Sequence, residues 1–195
     1  MSASCLDLLD HLHGSVSVVG SMNVDYTVVT ERLPKPGETV NGGPLTLLPG
    51  GKSANQASAA ARIGAQVRMF GAVGEDTNAD FLLEHLRDAG VDTSHIAAVA
   101  GPSGTTVITV DANGENTIVY SAGSNGEVSV DYVQQSSDAL VAADVLGLCL
   151  ESPMGTVTAC VASVMMPGSR YCSTIRHSLL NYPLNLSSFG HSAGQ

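Results

Sequence analysis

The segment Leu48–Ala65, LPGGKSANQASAAARIGA, decides how the chain folds. A proline and two glycines at 49–51 favour a tight turn, and the run of small residues after them predicts a helix from about Ala54 to Ile63. Gly64 occupies a position where a glycine commonly ends a helix. The apolar run at 67–73, VRMFGAV, follows directly, so the segment predicts a helix that leads into a buried strand.

Strand and helix patterns alternate along the rest of the chain. Apolar runs predict strands at 15–20, 67–73, 96–100 and 144–150, and helical periodicity predicts helices at about 77–89, 129–142 and 156–166. This order is typical of a sheet whose faces are covered by helices. Two regions, 25–48 and 105–120, carry β patterns without helices and predict a small separate sheet. The expected fold class is α/β, with a central sheet flanked by helices and a β flap.

The composition of the 195 residues excludes several classes of protein. A charged fraction of 13% with 44% hydrophobic residues is too apolar for a disordered chain. The 18 acidic residues outnumber the 8 basic ones, for a net charge of -10, so nucleic acid is not an expected partner. No apolar run approaches the roughly 18 to 20 residues that a membrane span needs, so no membrane association is expected.

The N-terminus and the cysteines indicate a reducing compartment. The first 14 residues contain two aspartates and lack the charged start and long apolar core of a signal peptide. The four cysteines form no CxxC pair and have no metal-ligand spacing to histidine. We therefore expect a cytoplasmic protein with no disulfide framework and no metal-ligating residues in this chain.

Asn23 and Asp25 follow the first predicted strand in the segment GSMNVD, 20–25. Ligands of open α/β sheets bind beyond the carboxyl ends of the strands, and residues two positions apart in an extended segment point the same way. An amide and a carboxylate together suit a hydroxyl-rich ligand. The alternative is a local turn in which these side chains cap the strand.

Gly51, Lys52 and Asn55 form a second candidate site. Residues 51–53 match the end of the phosphate-binding loop G-x-x-x-x-G-K-[ST], but Thr46 occupies the position of its leading glycine, so this interpretation fails. Free backbone N–H groups at a helix start, with a lysine and an amide, still indicate a polar ligand. The alternative is a glycine-rich turn with a solvated lysine.

Glu151 is the third candidate, because it directly follows the apolar run 145–150. A carboxylate at the carboxyl end of a buried strand is better placed for binding than for packing. The alternative is a solvated strand end.

Six motifs occur in an order and spacing that resemble one known family. They are VVGSMNVD (18–25), LPKPGETV (33–40), LPGGKSANQASAAARIGA (48–65), FGAVGEDTNAD (70–80), DANGENTIVYSAGSN (111–125) and LGLCLESP (146–153). Over about Val16–Ala162 the chain is similar to the PfkB-type carbohydrate kinases, and within them to ribokinases more than to adenosine kinases or fructokinases. Several motifs in register are more specific than any one of them.

The resemblance implies a ribokinase-like α/β core with a small β-sheet lid, at about 25–48 and 105–120, that also forms a homodimer contact. It implies transfer of the γ-phosphoryl group of ATP to the 5-hydroxyl of D-ribose, giving D-ribose 5-phosphate, with Mg²⁺ and a monovalent cation such as K⁺. The lid would close over the sugar and exclude water, which competes as phosphoryl acceptor.

Carried over by position, the resemblance assigns six residues to the sugar pocket: Asn23, Asp25, Gly51, Lys52, Asn55 and Glu151. In it, Asn23 and Asp25 would bind sugar hydroxyls, and the others would line the same pocket. Ser53 departs from the family pattern, because ribokinases often have glycine there, and it places a hydroxyl in a tight turn.

The family's second signature, Gly-Ala-Gly-Asp, does not occur among the 195 residues. In the family that loop supplies an anion hole and the aspartate base, and the nearest string here, SAGQ at 192–195, lacks the aspartate. The nucleotide-binding half is not recognisable either. We therefore assign no catalytic residue and expect the chain alone not to turn over ATP, which leaves open whether it is an enzyme by itself.

The last residues differ from the rest. All 18 acidic residues lie between Asp7 and Glu151, and the segment 165–195 has no clean helical or strand period. We expect an N-terminal extension, 1–14, a substrate-binding part, 15–164, and a frame-changed or poorly ordered tail, 165–195, so that the family fold is truncated before its nucleotide-binding half. The alternative for the tail is a divergent genuine C-terminus.

Other functions stay open on the sequence. One is another PfkB sugar or nucleoside kinase, fructokinase-like or adenosine kinase-like. Another is a non-catalytic fragment that binds sugar or dimerises, and a third is a product that fails to fold because an apolar sheet edge is exposed.

Overall fold

The computed structural model describes residues 14–164 and 173–175. Within them the strands are β1 Ser15–Val19, β2 Asn23–Val29, β3 Thr46–Gly50, β4 Gln66–Val73, β5 Asp92–Ala98, β6 Thr105–Val110, β7 Asn116–Ser121, β8 Val145–Leu148 and β9 Ser173–Ile175. The α-helices are α1 Lys52–Arg62, α2 Thr77–Asp88, α3 Val130–Gln135, α4 Ser137–Val141 and α5 Met154–Val164, and a 3₁₀ helix spans Gly123–Glu127. No helix in these ranges is long and apolar enough to cross a membrane.

Five parallel strands form the central sheet in the order β5-β4-β1-β8-β9. From β1 the chain moves outward through β4 to β5, and it later resumes on the other side of β1 with β8. The strand order therefore reverses between β1 and β8, and a crevice forms outside the carboxyl ends of strands at such a point. The α/β fold class expected from the sequence is confirmed.

Alternate residues of each central strand point to opposite faces of the sheet, and helices cover the apolar side chains on both faces. Val18 and Met69 pack with α1 and α2, whereas their neighbours Val19 and Phe70 pack with α3, α4 and α5. All four side chains are at most 2% exposed. Strands buried on both faces are typical of parallel sheets with helical crossovers, and this burial supplies most of the stabilisation of the fold.

Local signals explain where the first two helices begin. Gly51 precedes α1 with φ 95°, a conformation that favours glycine, so the helix begins at Lys52 rather than at Ala54 as expected. The carboxylate of Asp76 caps α2 by accepting a hydrogen bond of 2.9 Å from the backbone N–H of Ala79. Asp76, part of the VGED motif, therefore has a structural role.

The second sheet, called the lid sheet below, has the strand order β3-β2-β6-β7. Here β2 pairs antiparallel with β3 and parallel with β6, and β6 and β7 form the expected hairpin. Only residues 20–22 separate β1 of the central sheet from β2 of the lid sheet. The carboxyl end of the central strand is thus tied directly to the start of the lid.

One expectation about secondary structure was wrong, and one strand was not predicted. The single helix expected at 129–142 is two short helices separated by Ser136, where two serines and an aspartate at 136–138 form a run of poor helix formers. Ser173–Ile175, in the segment without a clean period, is strand β9, parallel to β8, and it was not predicted. The rest of the tail and the N-terminal extension, apart from Gly14, lie outside the described residues, and the proposed domain division stays a prediction.

Candidate functional site

A carboxylate marks the point where the strand order reverses. Ser21 follows β1 and Glu151 follows β8, and the Ser21 hydroxyl donates a hydrogen bond of 2.7 Å to Oε2 of Glu151. The other oxygen, Oε1, forms an ion pair with Nζ of Lys52, the first residue of α1. Each oxygen of the Glu151 carboxylate therefore has its own partner, Ser21 after β1 or Lys52 at the start of α1, and the two contacts hold the carboxylate in place.

The ion pair lowers the pKa of Glu151 and raises the pKa of Lys52, so it favours the charged form of each side chain. Burial alone would raise the pKa of Glu151, but hydrogen bonds from Lys52 and Ser21 outweigh it and hold that pKa below its ordinary value. The hydrogen bond to Glu151 also raises the pKa of Lys52. At neutral pH the site therefore holds a fixed anion and a fixed cation side by side.

Asn23 and Asp25 lie on the same face of β2, as their spacing predicts. The hydroxyl of Thr106 on β6 donates to Oδ1 of Asp25. Gly50 on β3 leaves space for this carboxylate, because a Cβ built there would lie 2.1 Å from Oδ2 of Asp25. The Asp25 carboxylate is thus positioned by the two strands that flank β2.

Asn23 is only 5% exposed, and its Oδ1 accepts a hydrogen bond of 2.8 Å from Nδ2 of Asn125. Asn125 lies in the 3₁₀ helix and is itself 2% exposed. A second bond, of 2.9 Å, joins the backbone N–H of Met22 to Oδ1 of Asn125. The Asn23 amide is therefore held from behind by a buried partner.

Gly51 allows the start of α1 to approach the end of β1. A Cβ at Gly51 would lie 2.5 Å from the carbonyl oxygen of Ser21, so a larger residue would push the two segments apart. Asn55 follows Lys52 by three positions and is therefore on the same helical face. Asn55 is exposed, and within the described part of the chain no hydrogen bond reaches its side-chain amide.

A pocket of about 320 Å³, called the junction pocket below, lies where these groups meet. It is lined by Asn23, Asp25, Gly51, Lys52, Asn55, Thr106, Ile108, Ile118, Tyr120 and Glu151. All six residues selected from the sequence are among them. The structure therefore brings the six together, while their role in sugar binding stays a prediction.

Four lining residues were not predicted, and all belong to the lid hairpin. Thr106 pairs with Tyr120 and Ile108 pairs with Ile118, so the four side chains share one face of β6 and β7. Alternation along the two strands could have identified this face, but only once the hairpin was paired with β2. Ser21 and Asn125, which hold Glu151 and Asn23, were also missed.

The serine that departs from the family pattern is accommodated in the core. Ser53 is fully buried, and its hydroxyl donates a hydrogen bond of 3.2 Å to the carbonyl of Val19. Gly20 provides the space, because a Cβ there would lie 2.2 Å from Oγ of Ser53. The extra hydroxyl thus points into the core, and Ser53 does not line the junction pocket.

A second cavity, of about 220 Å³, lies between α1 and α2. Arg62 and His85 contribute the basic groups of its lining, and Leu82 and Leu86 form an apolar wall. Asn55 lines this cavity as well as the junction pocket. No other residue selected from the sequence lies in its lining.

A ribokinase and a deoxyribokinase are similar to the chain over about half of their own length. The ribokinase of Bacillus subtilis is 38% identical over 143 residues, covering 73% of this chain and 49% of the relative. The deoxyribokinase of Salmonella typhi is 34% identical over 143 residues, covering 73% and 47%. The structure of Arabidopsis thaliana ribokinase complexed with ribose and ATP superposes with a TM-score of 0.64 and 30% identity, covering 78% of this chain and 51% of that one. The chain spans about half the length of these relatives.

The family resemblance drawn from the motifs is confirmed. A family model described as pfkB family carbohydrate kinase matches residues 14–166, which include every motif quoted above and all six selected site residues. The relatives and the solved structure agree with it in sequence and in fold. The chain belongs to the pfkB family of carbohydrate kinases.

Proposed function

We propose that the junction pocket binds a pentose such as D-ribose, and that this chain forms the sugar-binding part of a ribokinase-type kinase. The observation that carries the proposal is the convergence of two carboxylates, Asp25 and Glu151, with the Asn23 amide and the Lys52 ammonium around one open pocket. Pockets of a few hundred Å³ with a few convergent polar groups are typical of small-molecule sites.

The chemistry of the lining suits a polyhydroxylated ligand. Asp25 and Glu151 would accept hydrogen bonds from hydroxyl groups, while Lys52 and the side-chain amides would donate to hydroxyl oxygens. Ile118 and the ring of Tyr120 would contact the C–H groups of the sugar from the lid side. Hydroxyl and C–H groups of a pentose would thus both find partners in this pocket.

For the reaction we propose ATP-dependent phosphorylation of the sugar, as in ribokinases. The ribokinase from Arabidopsis thaliana was solved with ribose and ATP, which supports ATP as the phosphoryl donor of the type. The residues of this chain would bind and orient the sugar and, through the lid sheet, keep water from it. In the described ranges no three His, Cys, Asp or Glu side chains meet to hold a metal ion, so we derive no step through Mg²⁺ or K⁺.

The 195-residue chain is proposed to be inactive by itself, because it contains no Gly-Ala-Gly-Asp loop to activate the sugar hydroxyl. An ADP-release assay with ribose, ATP, Mg²⁺ and K⁺ should give only the background rate. Turnover well above that rate would contradict the proposed inactivity. If Asp25→Ala abolished this turnover, the result would still support sugar binding in the junction pocket.

Sugar binding is tested by calorimetric titration of the chain with D-ribose. Measurable binding that is lost in Asp25→Ala, with unchanged binding when the exposed Asp88 at the end of α2 is replaced by alanine, supports the proposal. A deoxyribokinase among the relatives makes 2-deoxy-D-ribose the second candidate ligand, and the same titration compares the two sugars. Absence of binding to both sugars would overturn the proposed function.

We also propose that the lid sheet forms a homodimer contact. Val107 and Val119 are paired across β6 and β7 on the face away from the pocket, and they are 53% and 70% exposed. Apolar side chains this exposed are typical of surfaces that a partner covers. Sedimentation equilibrium should show a dimer that Val119→Lys converts to a monomer, and a wild-type monomer would contradict this.

A further inference from the structure

Asn125 lies behind the junction pocket and makes three hydrogen bonds with two consecutive residues. Its Oδ1 accepts from the backbone N–H of Met22 at 2.9 Å, and its Nδ2 donates to the carbonyl oxygen of Met22 at 3.1 Å. The same Nδ2 donates to Oδ1 of Asn23 at 2.8 Å. Both ends of the Asn125 amide are thus engaged.

These contacts fix the orientation of the Asn125 amide. A backbone N–H can only donate and a carbonyl can only accept, so Met22 dictates which end of Asn125 is oxygen and which is nitrogen. The second proton on Nδ2 then faces Asn23, and only an oxygen of Asn23 can accept it. The backbone of one residue therefore determines the orientation of two side-chain amides.

The orientation of Asn23 determines what it offers to a ligand. Since its oxygen is turned to Asn125, its NH₂ group is the end left for the junction pocket that it lines. Asn23 therefore acts there as a hydrogen-bond donor. The carboxylates of Asp25 and Glu151 in the same lining can only accept, so on this wall Asn23 adds a donor to those of Lys52 and Asn55.

The packing around the two amides leaves little space for another arrangement. Asn23 and Asn125 are 5% and 2% exposed. A Cβ at Gly104 would lie 2.0 Å from Nδ2 of Asn125 and 2.4 Å from Oδ1 of Asn23, so the backbone that leads into β6 closes against the pair. The close approach that a glycine permits holds the two amides together.

We propose that Asn125 is a positioning residue that sets Asn23 as a donor, so that this wall of the pocket selects a ligand oxygen that accepts a hydrogen bond. The proposal rests on the proposed sugar-binding function for the identity of the ligand. The orientation of Asn23 itself is independent of any ligand and is tested separately.

Side-chain amide hydrogen exchange of the ligand-free chain, measured by NMR, tests the orientation directly. The Nδ2 protons of Asn125 should exchange at least tenfold more slowly than those of Asn23, which face the open pocket, and those of the exposed Asn113 give the reference rate. Equal protection of Asn23 and Asn125, or an unprotected Asn125, would overturn the proposal. This measurement requires no variant to fold.

The variant Asn125→Asp, at pH 8, tests the positioning. When ionised, which the carboxyl ¹³C shift of the variant verifies, the carboxylate that this substitution introduces still accepts from the Met22 N–H but can donate neither to the Met22 carbonyl nor to Oδ1 of Asn23. The Asn23 amide should then turn, and its protons should become protected. Asn113→Asp makes the same chemical change on the surface and should leave Asn23 unaffected. Unchanged exchange at Asn23 in folded Asn125→Asp would contradict the proposal.

Ribose affinity separates positioning from a merely structural effect. Asn125→Asp should weaken ribose binding at least tenfold, because Asn23 then presents an acceptor instead of a donor. In an Asn23→Ala background the same substitution should change the affinity less than twofold, whereas equal weakening in both backgrounds would show that Asn125 acts only through the fold. If the unsubstituted chain binds no ribose, the proposed function fails, and the exchange rates alone decide the orientation.

Discussion

The central sheet and the lid sheet differ in how their side chains are covered. Phe70 on β4 is fully buried between the sheet and its helices, whereas Val119 on β7 is 70% exposed. In the central sheet the crossover helices cover both faces, whereas in the lid sheet β2 connects to β3 and β6 connects to β7 without a helix. Burial of apolar side chains therefore stabilises the central sheet, whereas the lid sheet leaves apolar side chains exposed, where a ligand or a second copy of the chain could contact them.

The junction pocket lies where the two sheets meet, and it takes residues from both. Glu151 is held at the end of a buried strand, while Thr106 and Tyr120 come from the lid. A rigid scaffold with a more exposed lid is an arrangement that allows a ligand to enter and then be covered. Substitutions in the scaffold should therefore change stability, and substitutions in the pocket should change ligand affinity.

The largest effect is expected from truncating an aromatic side chain in the central sheet. Phe70→Ala removes a side chain that is fully buried and stacks on His95 with ring centroids 4.7 Å apart. The free energy of unfolding should fall by about 3–5 kcal/mol. The matched lid variant Tyr120→Ala should change it by less than about 1 kcal/mol and should instead weaken ribose binding.

Chemical denaturation measures the free energy of unfolding of both variants, and calorimetric titration of the folded proteins measures their ribose affinity. Similar losses of stability in the two variants would show that the lid is as tightly packed as the central sheet, and would contradict the comparison.

A medium effect is expected at the junction. A Cβ at Gly50 would lie 2.1 Å from the Asp25 carboxylate, which is flexible enough to turn away. Gly50→Ala should therefore weaken ribose binding about tenfold or more while the melting temperature changes little. In the control Gly43→Ala, the new Cβ would meet only the carbonyl of Val29 at an ordinary 3.6 Å. Equal ribose affinity of the two variants would show that the Asp25 carboxylate does not bind the sugar.

The smallest effect is expected from the ion pair of Lys52 and Glu151, whose side chains are 59% and 30% exposed. Such a pair contributes at most about 1 kcal/mol to stability. Because the pKa of Glu151 is lowered in the folded chain, this contribution is present above its ordinary value of 4.5 and is lost as the pH falls through the lowered value.

Unfolding free energies of the wild type and Glu151→Gln, measured from pH 3 to pH 8, check the sign. The difference between the two proteins should be largest near neutral pH and should shrink below about pH 4.5, the ordinary pKa of the group. A difference that grows on acidification would mean that the ionised Glu151 is destabilised in the folded state.

The sequence predicts the central sheet and one side of the pocket well, because both depend on local patterns. Strand runs, helix caps and polar residues directly after strands place Asn23, Asp25 and Glu151 correctly at the carboxyl ends. The lid side depends on long-range pairing instead. Thr106 reaches Asp25 across 81 positions, so its place in the pocket follows only from the register of β2 with β6.

Two other elements were missed for different reasons, one local and one long-range. The turn at Ser136 divides a helix whose apolar periodicity continues through it. Strand β9 has only three residues, and it is defined by its pairing with β8 rather than by any pattern of its own.

The central claim is that a pentose binds between the two sheets, and an NMR titration of the 195-residue chain with D-ribose tests it most directly. We expect saturable shifts of backbone amides on both sides of the junction pocket, at Asn23, Asp25 and Glu151 and at Ile118 and Tyr120 of the lid. Shifts centred on the second cavity, near Arg62 and His85, or no shifts at all, would contradict it.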